Sequence, residues 1–293
     1  MKQQSERSKP QRALARALVA LAILLAVTIQ AGPRAARAYV QLPRITASEA
    51  IVIDGWNGSV LFAKSPDVPR APASTVKVMT ALVALRLHIP LGRAIYISNV
   101  AATYGGSSAG LFAGERMTFW NLLHGMLLPS GNDAAVAVAQ GTAGDISHFV
   151  QRMNATAAFL HLTHTHYLSP NGFDAWGQVT TARDLADLTR IAMKQSVFAR
   201  VARTRYWTAR SVDGRYVHRW ENRNRLLWLS KDIDGVKTGT TAYAGACLVS
   251  SAHDHGRWVI EVNLGSSAGA RFSDGSFLLR YGLSVDQNAP TAD

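Results

Sequence analysis

The chain has 293 residues, 48% of them apolar and 17% charged, and a formal net charge of +12. This composition is that of a folded globular protein and excludes a disordered chain. The length allows a sizeable core, in one domain or in two small ones. Loss of residues 1–38 would remove seven basic residues and one acid and leave a net charge of +6. A mildly basic surface is therefore expected, which anionic polymers or lipid headgroups would attract.

The first 38 residues have the pattern of an export signal. A basic stretch precedes the charge-free run from Ala17 to Pro33, whose apolar centre, Leu18–Ile29, is short for a membrane span. Ala36-Arg37-Ala38 then supplies the small-x-small pattern of a signal peptidase site. We expect export with cleavage after Ala38; the alternative is an uncleaved N-terminal anchor.

The next segment predicts a hairpin followed by helices. Short apolar runs around Asp54–Gly58 are typical of a β-hairpin over residues 50–63. Ser74 opens a helical stretch from Thr75 to Leu87, which Pro90 ends. Further helices are expected at 116–128, 132–141, 145–160 and 182–199.

From about residue 205 the composition becomes that of strands. Strands are predicted at 205–207, 217–220, 245–251 and 258–264, and a closing helix at 272–281. This order predicts an α/β (α+β) fold, in which one antiparallel sheet flanked by helices is built from both chain ends around an inserted helical subdomain. We expect a single catalytic domain at 39–293, its sheet part about 39–72 and 205–293 and its helical part about 73–204. The chemistry is expected in the cleft between these parts.

Ser74-Thr75-Val76-Lys77 is an S-x-x-K sequence at the start of a helix. One helical turn separates the two polar residues, so their side chains share a face. A serine hydroxyl is a poor nucleophile until a base takes its proton, and a lysine can be that base when burial lowers its pKa. The alternative is that Ser74 is an ordinary helix cap.

Two more polar segments extend the pattern. Ser130-Gly131-Asn132 lies in a predicted turn, where the hydroxyl could relay a proton to a leaving amine and the amide could hold a substrate amide. Lys237-Thr238-Gly239 lies in a predicted edge strand, where Lys and Thr would bind a substrate carboxylate. Gly239 would let a peptide approach the backbone. Helix capping and a solvated lysine are the alternatives for the two segments taken singly.

Together, S-x-x-K, S-x-N and K-T-G in this order form the signature of penicillin-binding proteins and class A β-lactamases. The surrounding residues resemble the low-molecular-weight D-alanyl-D-alanine carboxypeptidases, serine DD-peptidases of the peptidase S11 type. The resemblance covers roughly residues 46–283 and implies the DD-peptidase/β-lactamase fold. The segments that carry it are Pro72–Thr80, Gly114-Glu115, Leu127–Ala135, Ser169–Gly172, Thr180–Asp184 and Gly235–Gly239.

The resemblance also implies a reaction on peptidoglycan stem peptides. Ser74 would attack the penultimate D-Ala carbonyl with Lys77 as general base, and β-lactams would acylate Ser74 as substrate mimics. The N–H groups of Ser74 and Thr240 would form the oxyanion hole. Ser130 would protonate the leaving D-Ala, Asn132 would hold the acyl side, and the carboxylate would meet Lys237 and Thr238.

Three other functions remain open. A DD-endopeptidase that cuts cross-links has the same site. A class A β-lactamase needs a carboxylate for deacylation, and no convincing Glu-x-x-Leu-Asn lies between the second and third motifs. A non-catalytic binding module for wall polymers or β-lactams would be expected to have lost Ser74, Lys77 or Ser130.

Cofactor, metal and partner expectations are correspondingly simple. No nucleotide-binding pattern appears, and no cofactor is implied. His161, His164 and His166 lack an acidic neighbour, which favours a surface or packing role over a metal site. Glu115 and Asp184 could be read as an acid/base pair, but helix capping and ion pairing explain each of them at least as well.

The lone Cys247 cannot form an internal disulfide and is expected to be buried. Export by the N-terminal signal would bring the mature chain to the periplasm or cell-wall space. We expect no nucleic-acid partner, and membrane contact only through an uncleaved N-terminal segment. The chain ends ten residues after Leu283, so a single-domain form without a C-terminal membrane anchor is expected.

Overall fold

The structure, a computed structural model, describes residues 44–285. The predicted export signal lies outside these residues. The strands are β1 (Glu49–Asp54), β2 (Val60–Lys64), β3 (Ala94–Tyr96), β4 (Arg116–Thr118), β5 (Tyr206–Arg210), β6 (Val217–Glu221), β7 (Ile233–Thr241), β8 (Gly245–Asp254) and β9 (Arg257–Ser266). The α-helices are α1 (Lys77–Arg86), α2 (Asn99–Ala102), α3 (Phe119–Leu127), α4 (Asn132–Ala143), α5 (Ile146–Phe159), α6 (Ala182–Met193), α7 (Ser196–Ala202) and α8 (Arg271–Ser284). Short 3₁₀ helices lie at Ala73–Val76 and Arg225–Trp228.

The main sheet is antiparallel and has the order β2-β1-β9-β8-β7. It is built from both chain ends, as predicted, and the hairpin prediction for residues 50–63 is confirmed by β1 and β2. Strands β1, β8 and β9 are buried along nearly their whole length. Their near-continuous burial follows because α8 packs on one face of the sheet and α6 on the other. Strand β7 is left at one edge.

The prediction that the strands at 205–207 and 217–220 join the main sheet is wrong. Strands β5 and β6 pair only with each other, in a two-stranded ribbon, and β3 pairs with β4. Residues 116–118 are therefore strand rather than helix. The helix begins at Phe119, because the Thr118 hydroxyl accepts the N–H of Asn121 and caps it. The helix predicted at 182–199 is interrupted between Met193 and Ser196.

Helix α1 is the centre of the helical part. Its first eight residues, Lys77 to Ala84, are all buried, and it packs against α3, α4, α5 and α6. A helix that is buried all round cannot reorient in its surroundings, since its apolar side chains interlock with neighbours on every side. The 3₁₀ helix at its start packs against β7. The start of α1 is thus held between the helical part and the sheet edge. Among residues 44–285, no helix is both long enough and apolar enough to cross a membrane.

Candidate active site

Ser74 lies in the 3₁₀ helix just before α1, in a backbone held by its neighbours. Ala73 has φ +49°, a left-handed conformation that costs an alanine about 1–2 kcal/mol. Thr75 donates its hydroxyl to the carbonyl of Pro72 at 2.6 Å. Gly172, with φ +89°, lies so close that a Cβ there would be 1.9 Å from the carbonyl oxygen of Ala73. These contacts fix the backbone that presents the Ser74 hydroxyl.

Lys77 is buried and its amine has three oxygen neighbours. The Nζ atom lies 2.9 Å from Ser74 Oγ, 2.7 Å from Asn132 Oδ1 and 2.8 Å from the carbonyl oxygen of Asn171. The side chain is 0% exposed. The S-x-x-K prediction that Ser74 and Lys77 share a face is confirmed by this geometry.

Burial lowers the pKa of Lys77 well below its usual 10.5, and the nearby charge of Lys237 lowers it further. Asp133 opposes this shift, but the loss of hydration is the largest cause. Its oxygen neighbours are uncharged: a hydroxyl, a carboxamide and a peptide carbonyl. The site therefore makes protonation of Lys77 less favourable than it is in water.

Ser130 lies in the connection between α3 and α4, as the sequence predicts. It has φ +67°, and it lines the same cleft as Ser74. Its hydroxyl is buried and has no hydrogen-bond partner among the described residues. A buried, unpaired hydroxyl in a left-handed backbone is costly, and such features concentrate at functional sites.

Asn132 is the first residue of α4, and both the oxygen and the nitrogen of its side-chain amide form hydrogen bonds. The oxygen accepts from Lys77, while Nδ2 donates to the carbonyl of Gly105 at 2.8 Å. Its backbone N–H donates to the carbonyl of Ser107 at 2.7 Å. The adjacent Asp133 accepts the backbone N–H groups of Ala109 and Leu111. Asn132 therefore orients Lys77 and, with Asp133, holds the loop of residues 105–111 beside the cleft.

Strand β7 brings the third motif to the cleft, but its two side chains face differently. Thr238 and Thr240 line the cleft with Ser74. Lys237 does not line it: the side chain is 1% exposed and Nζ donates to the carbonyl of Thr238 at 2.9 Å. Lys237 lies on the face of β7 that Gly239 presents to the Ser74 turn, and its charge lowers the pKa of Lys77, whereas Thr238 is on the other face. The contact of both side chains with a substrate carboxylate stays a prediction. Burial, with Arg223 and Arg271 nearby, lowers the pKa of Lys237 to about 7.

Gly239 lies close to the backbone around Ser74. A Cβ at this position would lie 3.0 Å from the Cβ of Ala73 and 3.1 Å from the backbone nitrogen of Ser74. Because Gly239 has no side chain, β7 can approach the Ser74 turn. The predicted approach of a substrate peptide at Gly239 stays a prediction.

The cleft has a volume of about 610 Å³ and a strongly cationic lining, which the sequence analysis missed. Arg271, at the start of α8, donates to the carbonyl of Gly239 at 2.8 Å and to Thr240 Oγ1 at 2.7 Å. Arg223 donates to Ser107 Oγ at 2.8 Å. No motif spacing ties these arginines to the cleft, so no local signal identified them. Asn171 was quoted within a family segment, but without a role. The lining residues include Ser74, Ser107, Pro129, Ser130, Glu221, Asn222, Arg223, Arg225, Thr238, Gly239, Thr240, Ala268, Gly269, Arg271 and Phe272.

The other titratable residues considered from the sequence lie outside this cleft. Glu115 contacts His218 Nε2 at 2.7 Å, and Asp184 accepts the backbone N–H of His164 and the hydroxyl of Thr165. Both are thus used in pairing and capping. Within residues 44–285, no group of three His, Cys, Asp or Glu side chains is placed to hold a metal ion. Cys247 is buried, as predicted.

Comparisons with known proteins identify the family of the chain. A family model described as D-alanyl-D-alanine carboxypeptidase, peptidase S11, matches residues 36–268. The D-alanyl-D-alanine carboxypeptidase of Streptomyces sp. strain K15 is 34% identical over 94% of this chain and 99% of its own length. The D-alanyl-D-alanine carboxypeptidase DacD of Escherichia coli is 35% identical over 83% of this chain, which spans 64% of that relative.

Solved structures show the same fold. The crystal structure described as the Streptomyces K15 DD-transpeptidase superposes with a TM-score of 0.79 at 34% identity, over 83% of this chain and 99% of that one. The D-alanyl-D-alanine carboxypeptidase DacD of Francisella tularensis gives a TM-score of 0.77 at 30% identity, over 87% and 75% of the two chains. The predicted fold class and family are confirmed. The chain belongs to the D-alanyl-D-alanine carboxypeptidase family, peptidase S11.

Proposed function

We propose that the chain is a serine-type DD-carboxypeptidase, which removes the terminal D-Ala of peptidoglycan stem peptides through an acyl-enzyme on Ser74. The observation that carries the proposal is the position of the buried Lys77 amine, 2.9 Å from Ser74 Oγ. A buried amine with a lowered pKa is the base that a serine nucleophile needs.

Hydrogen-bond directions support Lys77 as the base. The carbonyl oxygen of Asn171 and Oδ1 of Asn132 can only accept, so they take two N–H groups of a neutral amine. The lone pair is then left for the third neighbour, the Ser74 hydroxyl. Lys77 can therefore accept the Ser74 proton as the oxygen attacks the penultimate D-Ala carbonyl.

The surrounding groups fit the later steps of acylation. The Ser74 N–H is at the start of a helix, where backbone N–H groups lack intrahelical partners, and Gly239 brings β7 against it. The N–H groups of Ser74 and Thr240 would stabilise the oxyanion. The Ser130 hydroxyl would pass a proton to the leaving nitrogen as the peptide bond breaks.

The cationic lining fits the carboxylate of the leaving D-Ala. Thr238 and Arg271 line the cleft, and Lys237 adds charge from beneath β7. Asn132 would face the acyl side of the substrate. Water then attacks the ester carbonyl, which releases the shortened peptide and returns the proton to Ser74. β-Lactams carry a comparable carboxylate and would acylate Ser74 in the same way.

We further propose that residues 1–38 are a signal cleaved after Ala38, and that residues 39–293 form the catalytic domain in the periplasm or cell-wall space. The support is the basic and apolar pattern of the signal segment and the small-x-small site that follows it. An uncleaved segment would provide the membrane contact. The N-terminal residue of the protein recovered from cells distinguishes the two.

The decisive experiment is mass spectrometry of the mature protein with penicillin and with a pentapeptide ending in D-Ala-D-Ala. We expect a penicilloyl adduct on Ser74 and release of a single D-Ala, with neither reaction in Ser74→Ala. A wild-type protein that gives neither product would contradict the proposal. Rapid turnover of penicillin would identify a β-lactamase instead.

A DD-endopeptidase activity is the second candidate, and the extent of the cleft favours it. The cleft is also lined by Arg225, Ala268 and Phe272, in addition to Thr238 and Arg271, which we assign to the carboxylate of a leaving D-Ala. The chain that leaves a cross-link would need such space. Chromatography of cross-linked muropeptides after incubation would show monomers if the activity is present and unchanged dimers if it is absent.

A further inference from the structure

The outer face of the β5–β6 ribbon is a second basic surface, outside the catalytic cleft. Alternate residues of a strand share a face, and cross-strand partners share it too. Thr208 pairs with Arg219, and Arg210 pairs with Val217; all four side chains are exposed. We call these four residues the ribbon face. The opposite side of the ribbon is buried through Ala209, His218 and Trp220.

The positive charge of the protein is concentrated in this part of the chain. Residues 44–285 carry 24 Lys or Arg and 16 Asp or Glu. Residues 200–225 alone carry eight Arg and two acids. A net charge of +6 therefore resides in this short segment, against +2 in the rest of the described residues. Such clustering exceeds what solubility requires and creates a local positive potential.

Intramolecular contacts do not account for the two arginines of the ribbon face. Within the described residues, Arg203 contacts Asp234, and Arg215 contacts Asp213. Others lie over aromatic rings, as Arg205 does over Trp228. Neither Arg210 nor Arg219 has a carboxylate or aromatic partner among residues 44–285. Their charges are free to meet an external anion.

The ribbon face leads into the catalytic cleft. Glu221 lines the cleft and lies two residues after Arg219, about 7 Å along the strand. Arg223 and Arg225 follow and also line the cleft. Glu221, opposite Tyr206, is the one acid on this side of the ribbon. A basic track thus runs from Arg210 to the rim of the site.

We propose that the ribbon face docks the polymeric substrate, by binding carboxylate groups of peptide strands next to the one in the cleft. This inference rests on the proposed function, because it takes a peptide-bearing polymer as the substrate. Continuity with the cleft and complementary charge favour this partner. Exposed charges at the rim of a site act mainly on encounter with an oppositely charged partner, so the effect is expected in kcat/KM and in its salt dependence.

The test measures kcat/KM of the double variant Arg210→Gln/Arg219→Gln, relative to the wild type, on two substrates. One is uncross-linked peptidoglycan with pentapeptide stems; the other is a short diacylated tripeptide ending in D-Ala-D-Ala. At low salt we expect kcat/KM for the polymer to fall about 3- to 10-fold. The difference should vanish at about 0.5 M NaCl, where such charges are screened. Hydrolysis of the tripeptide and acylation by penicillin should be unchanged.

The matched control is Arg93→Gln/Arg152→Gln, which removes two exposed arginines elsewhere and should leave polymer turnover unchanged. An equal fall in kcat/KM on both substrates, or the same fall in the control variant, would overturn the proposal. So would normal polymer turnover together with lost binding to phosphatidylglycerol vesicles, which would make the ribbon face a membrane surface. Failure of the proposed function is distinct, since wild-type protein would then cleave neither substrate.

Discussion

The surroundings of Lys77 are those that the proposed role as general base requires. A carboxylate beside it would have kept the amine charged, but its three neighbours are a hydroxyl, a carboxamide and a peptide carbonyl. Burial and the charge of Lys237 then lower its pKa. The amine is hydrogen-bonded to uncharged groups, and none of these three neighbours is a carboxylate that would stabilise its charged form. That arrangement keeps its lone pair available to Ser74.

Ser130 gives the sharpest test at the residue scale. Its buried hydroxyl has no partner in the described part of the chain, so Ser130→Ala breaks no hydrogen bond of the fold. We expect acylation by penicillin to slow about 10²- to 10⁴-fold, the usual effect of losing a proton-transfer group. The free energy of unfolding should change by less than about 0.5 kcal/mol, or rise slightly. Stopped-flow acylation and urea unfolding measure the two effects.

Ser108→Ala is the matched control for this substitution. The Ser108 hydroxyl donates to Asp133 at 2.5 Å and accepts the N–H of Gly110 at 2.8 Å. Ser108→Ala should therefore lower the free energy of unfolding, while its acylation rate falls less than that of Ser130→Ala. If Ser130→Ala acylates at the wild-type rate, the proton relay is assigned to the wrong residue.

At the scale of elements, the loop around Gly172 is expected to hold the Ser74 turn in place. A Cβ at Gly172 would lie 1.9 Å from the Ala73 carbonyl oxygen, and the adjacent Asn171 carbonyl binds Lys77. Gly172→Ala must therefore displace the backbone next to Ser74. We expect a loss of roughly 3 kcal/mol or more in unfolding free energy. Acylation should fall as well, which denaturant titration and penicillin labelling would show.

Gly214→Ala separates backbone strain from the clash. Gly214 has φ +77°, close to that of Gly172, but a Cβ there meets no atom within 4 Å. The free energy of unfolding of this variant should fall only by the cost of an alanine in a left-handed conformation, about 1–2 kcal/mol, and acylation should be unchanged. Equal losses in the two variants would show that the contact with Ala73 is unimportant.

The elements also show what the sequence could predict. Ser74 and Lys77 were predicted together because one helical turn fixes their relation, and Ser130 because a turn between two helices is a local pattern. The Asn171 carbonyl could not be assigned, since a backbone oxygen has no residue-type signal. Arg223 and Arg271 reach the cleft only through tertiary packing. The burial of Lys237 could not be derived from the motif, since motif order does not say how deeply a strand side chain is buried.

At the scale of the whole molecule, the site depends on two distant parts of the chain meeting. Helix α1 carries Lys77 within the helical part, and β7 carries Thr238 at the edge of the main sheet. The sequence predicted this insertion of helices between two sheet-forming ends. It did not predict that β5 and β6 would leave the sheet, because strand composition does not identify the partner strand. That separate ribbon carries the basic track.

The stability of the whole fold is expected to depend on Glu261, which is buried in β9 between the sheet and α8. Its Oε2 accepts from Asn263 Nδ2 at 2.9 Å, and its Oε1 has no partner among residues 44–285. Burial raises the pKa of Glu261 from 4.5 to about 8. Below pH 4.5 the carboxyl is protonated in both the folded and the unfolded chain, and it carries no penalty. Between these two pKa values the unfolded chain releases the proton and the folded chain keeps it.

Wild-type stability should therefore fall as the pH rises through this window, by up to about 1.4 kcal/mol per pH unit from this group. Glu261→Gln keeps the shape of the side chain and removes its ionisable group. The free energy of unfolding of the variant should therefore rise relative to that of the wild type as the pH rises. Urea unfolding at about pH 5 and about pH 8 measures the gain, which should be larger by a few kcal/mol at the higher pH. Glu221→Gln, at an exposed position, is the control and should show the same small difference at both values. A pH-independent difference for Glu261→Gln would mean that the folded protein ionises this carboxyl as readily as the unfolded chain does.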